Sequence, residues 1–145
     1  MIAIGADHGG FDLKEQVKKH LEERNIEYKD FGTFSGEAVD YPVIAKTVGQ
    51  AVAKGEADCG ILVCGTGIGM SIAANKVKGI RAACCSDTFS ARFTKMHNNT
   101  NILCFGGRVI GAGLALDIVD AYLDAEFEGG RHEKRVNMIM DIENN

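Results

Sequence analysis

Short apolar runs alternate with longer segments of helical period from one end of the chain to the other. Ile2 to Ala6 is apolar throughout and reads as a buried strand. A turn at Asp7-His8-Gly9-Gly10 follows, and then Asp12, with Glu15 three residues on, offers an N-cap to a helix lined by Leu13, Val17 and Leu21. Glu27 to Phe31 predicts a second, more polar strand. Pro42 marks a helix start with Ile44, Val48 and Val52 as its apolar stripe. Gly60 to Cys64 predicts a central strand, and a short helix after Gly65-Thr66-Gly67-Ile68-Gly69 runs to about Lys76.

The alternation continues with a strand over Ile80 to Cys85 and a helix capped by Asp87, on which Phe89, Phe93 and Met96 share a face. That helix should end near His97-Asn98-Asn99. Asn101 to Phe105 predicts a fifth strand, Gly106-Gly107-Arg108 its exit loop, and Ala112 to Leu123 a helix with Leu114 and Ile118 inward. Gly129-Gly130 forms a hinge before a terminal helix over 130–143. Strands separated by helices imply right-handed crossovers and a parallel sheet. The fold class is therefore α/β, a three-layer α/β/α sandwich with a five-stranded Rossmann-like sheet. In such sheets ligands sit beyond the carboxyl ends of the strands.

At 145 residues the chain fits a single domain that buries roughly 70% of its unfolded surface, so neither cystine nor zinc is needed to hold a core. Eighteen glycines and one proline point to many tight turns. With 16 basic and 20 acidic residues, a net charge of −4 and no long basic run, nucleic acid is not an expected partner. No stretch is long and apolar enough to span a bilayer, and the amino terminus lacks the pattern of a signal peptide, so a cytoplasmic location is expected. The five cysteines contain no C-x-x-C pair, and four lie inside apolar runs as buried thiols would. No metal or cofactor is expected.

The carboxyl-end rule selects the loops 7–10, 64–69 and 106–108. Three glycines between an apolar strand and a helix free backbone N–H groups for an anion or a developing oxyanion, although a tight turn alone explains the same residues. A dinucleotide site is weak here, because position 70 is Met70 rather than glycine and Asp87 is explained as a helix cap. Cys64 ends a strand and precedes this loop, where a thiolate is favoured, and the competing explanation is an inert buried cysteine. His97 at a helix end is also explained as a cation on the dipole. Arg131 and Arg135 lie four apart and suit either a phosphate clamp or a solvated face.

Taken in order, Asp7-His8-Gly9-Gly10, Asp40-Tyr41-Pro42, Cys64-Gly65-Thr66-Gly67-Ile68-Gly69, His97-Asn98, Phe105-Gly106-Gly107-Arg108 and Gly129-Gly130-Arg131-His132 resemble the ribose-5-phosphate isomerase B family over essentially the whole chain. Galactose-6-phosphate isomerase subunits of the wider family differ at the cysteine or the His-Asn positions, both of which are kept here. The resemblance implies metal-free interconversion of D-ribose 5-phosphate and D-ribulose 5-phosphate through a cis-enediolate, a step of the pentose phosphate pathway. It implies Cys64 as the base, Thr66 as a proton shuttle and the amides of Gly65, Gly67, Ile68 and Gly69 as oxyanion donors. His97 would open the sugar ring, with Asp7, Tyr41 and Asn98 on the sugar and His8, Arg108, Arg131 and Arg135 on the phosphate.

A homodimer, or a dimer of dimers, with shared active sites is also implied. Topology gives an independent reason: eleven helical residues from Asp87 to His97 span about 16 Å back from the carboxyl edge, away from the chain's own Cys64. Two other readings remain open on sequence. One is the same reaction on a six-carbon aldose phosphate such as allose 6-phosphate; the other is a non-catalytic nucleotide or sugar-phosphate binding module.

Overall fold

The computed structural model describes residues 1–145. Five strands, β1 (Ile2–Ala6), β2 (Tyr28–Asp30), β3 (Cys59–Cys64), β4 (Ala82–Cys84) and β5 (Ile102–Gly106), form one parallel sheet in the order β2-β1-β3-β5-β4. Between and after them run α1 (Phe11–Glu23), α2 (Tyr41–Ala53), α3 (Ile68–Ala74), α4 (Thr88–Asn98), α5 (Ala112–Asp124) and α6 (Arg131–Asp141), which ends in a 3-10 turn at Ile142–Asn144.

Alternation along the strands builds two cores. Ile2, Ile4, Ile61, Val63, Leu103 and Phe105 face α1, α4 and α5, where Leu13, Val17, Leu21, Ala91, Ile118 and Tyr122 pack on them. Ala3, Leu62, Cys64, Ile102 and Cys104 face α2 and α3, against Ala45, Val48, Val52, Met70 and Ala74. This is the three-layer sandwich that the pattern predicts. No helix is long and apolar enough to cross a membrane.

The strand order puts a topological switch between β1 and β3, which are hydrogen-bonded neighbours whose following helices cover opposite faces of the sheet. A crevice opens at such a switch, beyond the carboxyl ends of the two strands. The loops at Asp7 and Cys64 flank it.

Several expectations change. Asp12 does not cap α1: the helix starts at Phe11 with Gly10 at the N-cap and no side-chain cap bond, while Asp7 Oδ1 accepts from Gly9 N–H at 2.9 Å one turn earlier. β4 is confined to three residues because it is an edge strand, paired only with β5, and Cys84 on it is exposed rather than buried. α3 stops at Ala74, where turns through Val77 to Ile80 take over. Leu114 is exposed instead of facing the core, since α5 turns Ala115, Ile118, Val119 and Tyr122 inward, whereas Phe89 and Phe93 do share a face of α4, their rings stacked at 4.3 Å, with Phe89 exposed. Asp87 does cap α4, accepting from Ser90 N–H at 2.6 Å, and Asn99 closes it in the left-handed conformation.

Candidate active site

Three loops meet at the carboxyl edge of β1, β3 and β5. They meet through backbone because side chains are missing where they touch: a Cβ on Gly107 would stand 2.5 Å from Gly9 O, and one on Gly106 2.6 Å from Thr66 Cα. Gly107 N–H donates to Cys64 O at 2.8 Å and Arg108 N–H to Gly65 O at 3.0 Å, fastening the exit of β5 to the exit of β3.

Cys64 is the last residue of β3 and is nearly buried, its side chain directed to the α2–α3 layer. Gly67 N–H donates to its Sγ at 3.1 Å. That bond needs Gly67 at φ +81°, a left-handed conformation that other residues adopt at a cost of about 1–2 kcal/mol. The donor stabilises negative charge developing on the sulfur. Thr66 Oγ1 accepts from Ile68 N–H at 3.2 Å, which fixes the side chain and leaves its hydroxyl proton free to donate.

A concavity of about 440 Å³ opens over this loop, lined by Asp7, Tyr41, Cys64, Gly65, Thr66 and Gly69, with Ile68 and Ile72 at its rim. Tyr41, at the start of α2, stands over Gly69, where an added Cβ would meet its ring at 2.7 Å. Asp7 is buried and uses one oxygen to brace its own loop, so bracing and lining the cavity are not exclusive. The Arg108 side chain lies along Gly65, within 3.5 Å of where a Cβ would be. His8 is exposed, and its Nδ1 accepts from Val39 N–H at 3.4 Å, tying the loop ahead of α2 to the site.

The remaining predicted residues form a second group. His97 and Asn98 end α4 and, with Cys84, Phe89 and Phe93, border a separate concavity of about 380 Å³. The His97 ring stacks on His132 of α6, with centroids 4.0 Å apart and planes 8° from parallel, and meets Phe93 edge-on at 5.0 Å. Arg131 and Arg135 are exposed on the same helix. Burial, together with His97 and Arg131, pushes the His132 imidazole below its ordinary value, so the ring is neutral at neutral pH. Within one chain, therefore, Cys64, Thr66, Asp7 and Tyr41 share a crevice, Arg108 lies beside it along Gly65, and His97, Asn98, Arg131 and Arg135 lie outside it.

The largest concavity, about 530 Å³, lies between Asn75, Arg81, Thr94, Met140 and Ile142. Its Arg81 guanidinium is committed to the Asn99 carbonyl at 2.6 Å and its one carboxylate, Glu143, accepts from Gly79 N–H at 2.8 Å, so volume alone does not identify the site. Sequence reading missed Glu128, whose Oε2 lies 3.4 Å from His132 Nε2 and 3.6 Å from His97 Nε2. Only its spacing of four from His132 marks it. Lys14 was also missed: fully buried, it bonds both Asp30 oxygens and Thr33 O, anchoring the loop that follows β2.

The ribose/galactose isomerase profile matches residues 2–139. Ribose-5-phosphate isomerase B of Escherichia coli strain K12 is 56% identical over 142 residues, covering 98% of this chain and 95% of the relative. The structure of ribose-5-phosphate isomerase B from Clostridium thermocellum superposes with a TM-score of 0.97 at 55% identity, over 99% of this chain and 97% of that one. A ribose-5-phosphate isomerase B from Mycoplasma genitalium, solved with bound ribulose 5-phosphate, superposes at 0.96 with 40% identity, over 99% and 96% of the two chains.

Proposed function

The chain belongs to the ribose/galactose isomerase family, and on that premise we propose how its residues divide the work. The protein is an aldose-ketose isomerase that interconverts D-ribose 5-phosphate and D-ribulose 5-phosphate. The observation that carries the mechanism is the bond from Gly67 N–H to Cys64 Sγ at the floor of the crevice.

Cys64, as thiolate, takes the proton from C2 of the open-chain aldose and returns it at C1. Between these steps the electron pair left at C2 makes the cis-enediolate, and the negative charge that forms on O1 is met by the amides of Gly65 and Gly69, while Gly67 N–H is held on Cys64 Sγ and Ile68 N–H on Thr66 Oγ1. Thr66, with its hydroxyl proton free, moves a proton between O2 and O1. Arg108, lying along Gly65, and His8 take the phosphate, whose binding energy positions the reacting carbons. Asp7 and Tyr41 bind the sugar.

His97 and Asn98 act on the partner's substrate: His97 opens the ring by proton transfer at the ring oxygen, and Asn98 binds a hydroxyl. Arg131 and Arg135 cross with them and complete the phosphate site. The separation of the two residue groups within one chain supports a two-fold dimer, in which each group occurs twice and both sites are completed together. In this reading residues 1–145 form one isomerase domain and the 130–143 helix docks on the partner. Location in the cytoplasm fits a substrate that is an internal sugar phosphate.

Incubating purified protein with ribose 5-phosphate in the presence of EDTA, and scoring ribulose 5-phosphate, tests the reaction. Comparing kcat/KM over five- and six-carbon aldose phosphates, allose 6-phosphate included, tests the substrate. No turnover of ribose 5-phosphate, or a higher kcat/KM for a six-carbon substrate, overturns the assignment.

A further inference from the structure

Outside the Cys64 crevice one cluster has unused bonding capacity. His132 is 7% exposed, and its Nε2 is buried without a hydrogen-bond partner, which native structures rarely tolerate. That nitrogen faces Glu128 Oε2 at 3.4 Å, and His97 Nε2 reaches the same oxygen at 3.6 Å. The three ligand atoms all lie within 4.8 Å of one another. Both separations are long for a hydrogen bond. They match instead the edge of a tetrahedron built on Zn–N and Zn–O bonds of about 2.1 Å, which is about 3.4 Å.

We propose that His97 Nε2, His132 Nε2 and the Glu128 carboxylate form a Zn²⁺ site with a fourth position open to water. Two imidazole nitrogens and one carboxylate suit a borderline ion and not magnesium or calcium, which take oxygen ligands. The elements hold the ligands independently of any ion: Glu128 N–H donates to Met96 O at 3.0 Å, which locks the segment before α6 against the end of α4. His132 is already buried and facing the gap, so only His97 has to move. Its ring is stacked 8° from parallel on His132, an arrangement in which the two lone pairs do not converge. The His97 side chain is a third exposed, and its ring turns about a broad χ2 torsion to bring Nε2 onto the ion.

Binding therefore withdraws the His97 imidazole from any other partner. On the role proposed above for His97, Zn²⁺ inhibits turnover of ring-closed substrate by occupying the residue that opens the ring.

The test separates the site from that role. Zn²⁺ is titrated against a chromophoric chelator into full-length protein carrying Cys64→Ser and Cys84→Ser, so that the two thiols nearest the sheet edge do not compete. The expected result is one equivalent per chain, weakened by about tenfold or more by His132→Ala and equally by the exposed Glu128→Gln, whose fold is confirmed by circular dichroism. Co²⁺ in the same protein should give no thiolate charge-transfer band. Absence of stoichiometric binding, or binding unchanged by both substitutions, overturns the site. Stoichiometric Zn²⁺ on otherwise wild-type protein that is weakened about tenfold by His132→Ala, and so sits on the histidines and not on a thiol, but causes no loss of ribose 5-phosphate turnover keeps the site and removes His97 from ring opening.

Discussion

Gly67 N–H lies 3.1 Å from Cys64 Sγ, and the same glycine holds φ at +81°. A Cβ there would stand 2.7 Å from the Phe105 backbone and 3.0 Å from Cys84 Sγ, so Gly67→Ala has to displace the loop. The substitution should lower kcat by about 10²-fold with a smaller change in KM, because the donor holds the thiolate that takes the proton and does not hold the sugar phosphate. Steady-state kinetics with a far-ultraviolet spectrum of the variant check this. Unchanged kcat would mean that the Gly67 amide has no part in the chemistry.

Cysteine labelling should follow the geometry rather than the apolar runs. Ribose 5-phosphate should protect Cys64 from iodoacetamide, whereas exposed Cys84, whose thiol is pushed up by partial burial, should react slowly and regardless of substrate. Cys59, Cys85 and Cys104 are buried, and burial pushes Cys85 up to about 11, so they should label last. Peptide mapping after timed exposure reads each site. Equal Cys64 labelling with and without the sugar phosphate would place the substrate elsewhere. Cys64→Ala should abolish isomerisation while sugar-phosphate binding persists.

Much of this was legible in the chain because a parallel sheet buries its central strands on both faces, so β1, β3 and β5 read as continuous apolar runs. The edges were not. Ile80 to Cys85 reads as a six-residue strand, yet β4 keeps only Ala82–Cys84 and pairs on one side only, and nothing local reports which edge lies open. Asp12 met the rule for a cap, but Asp7 turns the backbone locally at Gly9, and the helix starts at Phe11, ahead of Asp12. In the site, the residues on the glycine loop were visible as a motif. Glu128 was hidden in a segment of no regular period, and its approach to His97 depends on how α6 folds back on α4.

Lys14 and Asp30 form a buried pair at 2.7 and 2.8 Å. Burial alone would raise the Asp30 carboxyl, but Lys14, the Gly32 N–H and Lys18 outweigh it and hold the carboxyl below its usual range. The unfolded chain then takes up this proton at higher pH than the folded one. Stability from the pair is thus complete above the unfolded value and is lost as pH falls through the lower folded value. Urea melts from roughly pH 5 to 3 should show Asp30→Asn with a flatter acid dependence than wild type. Lys14→Met should cost about 3 kcal/mol at neutral pH, since Asp30 keeps only Lys18 as a cation beside the Gly32 N–H. Parallel slopes for wild type and Asp30→Asn would remove the pair from the acid response.

Arg131→Ala and Arg135→Ala should each raise KM for ribose 5-phosphate, losing a charge-assisted contact of about 1.5–3 kcal/mol. The penalty should depend on the phosphate. Kinetics with unphosphorylated ribose supply the control, and an equal loss with both sugars would show that the arginines do not hold the phosphate.

Assembly gives the sharpest test, because the crevice around Cys64 contains neither His97 nor Asn98, while ring opening and enolisation act on one sugar. If each site draws Cys64 from one chain and His97 from the other, Cys64→Ser and His97→Ala proteins should separately turn over ring-closed substrate poorly. A mixed dimer then has one site carrying both substitutions and one carrying neither. With random pairing half of the dimers are mixed and half of their sites are whole, so co-expression should recover about a quarter of wild-type activity. The recovered activity should also show wild-type KM, since the whole site retains Arg108 and the partner's arginines unchanged. Differently tagged chains, purified through both tags, exclude the parental dimers and should raise the recovery to about half. Doubly tagged dimers no more active than their parents would put His97 on its own chain's substrate and remove the shared site.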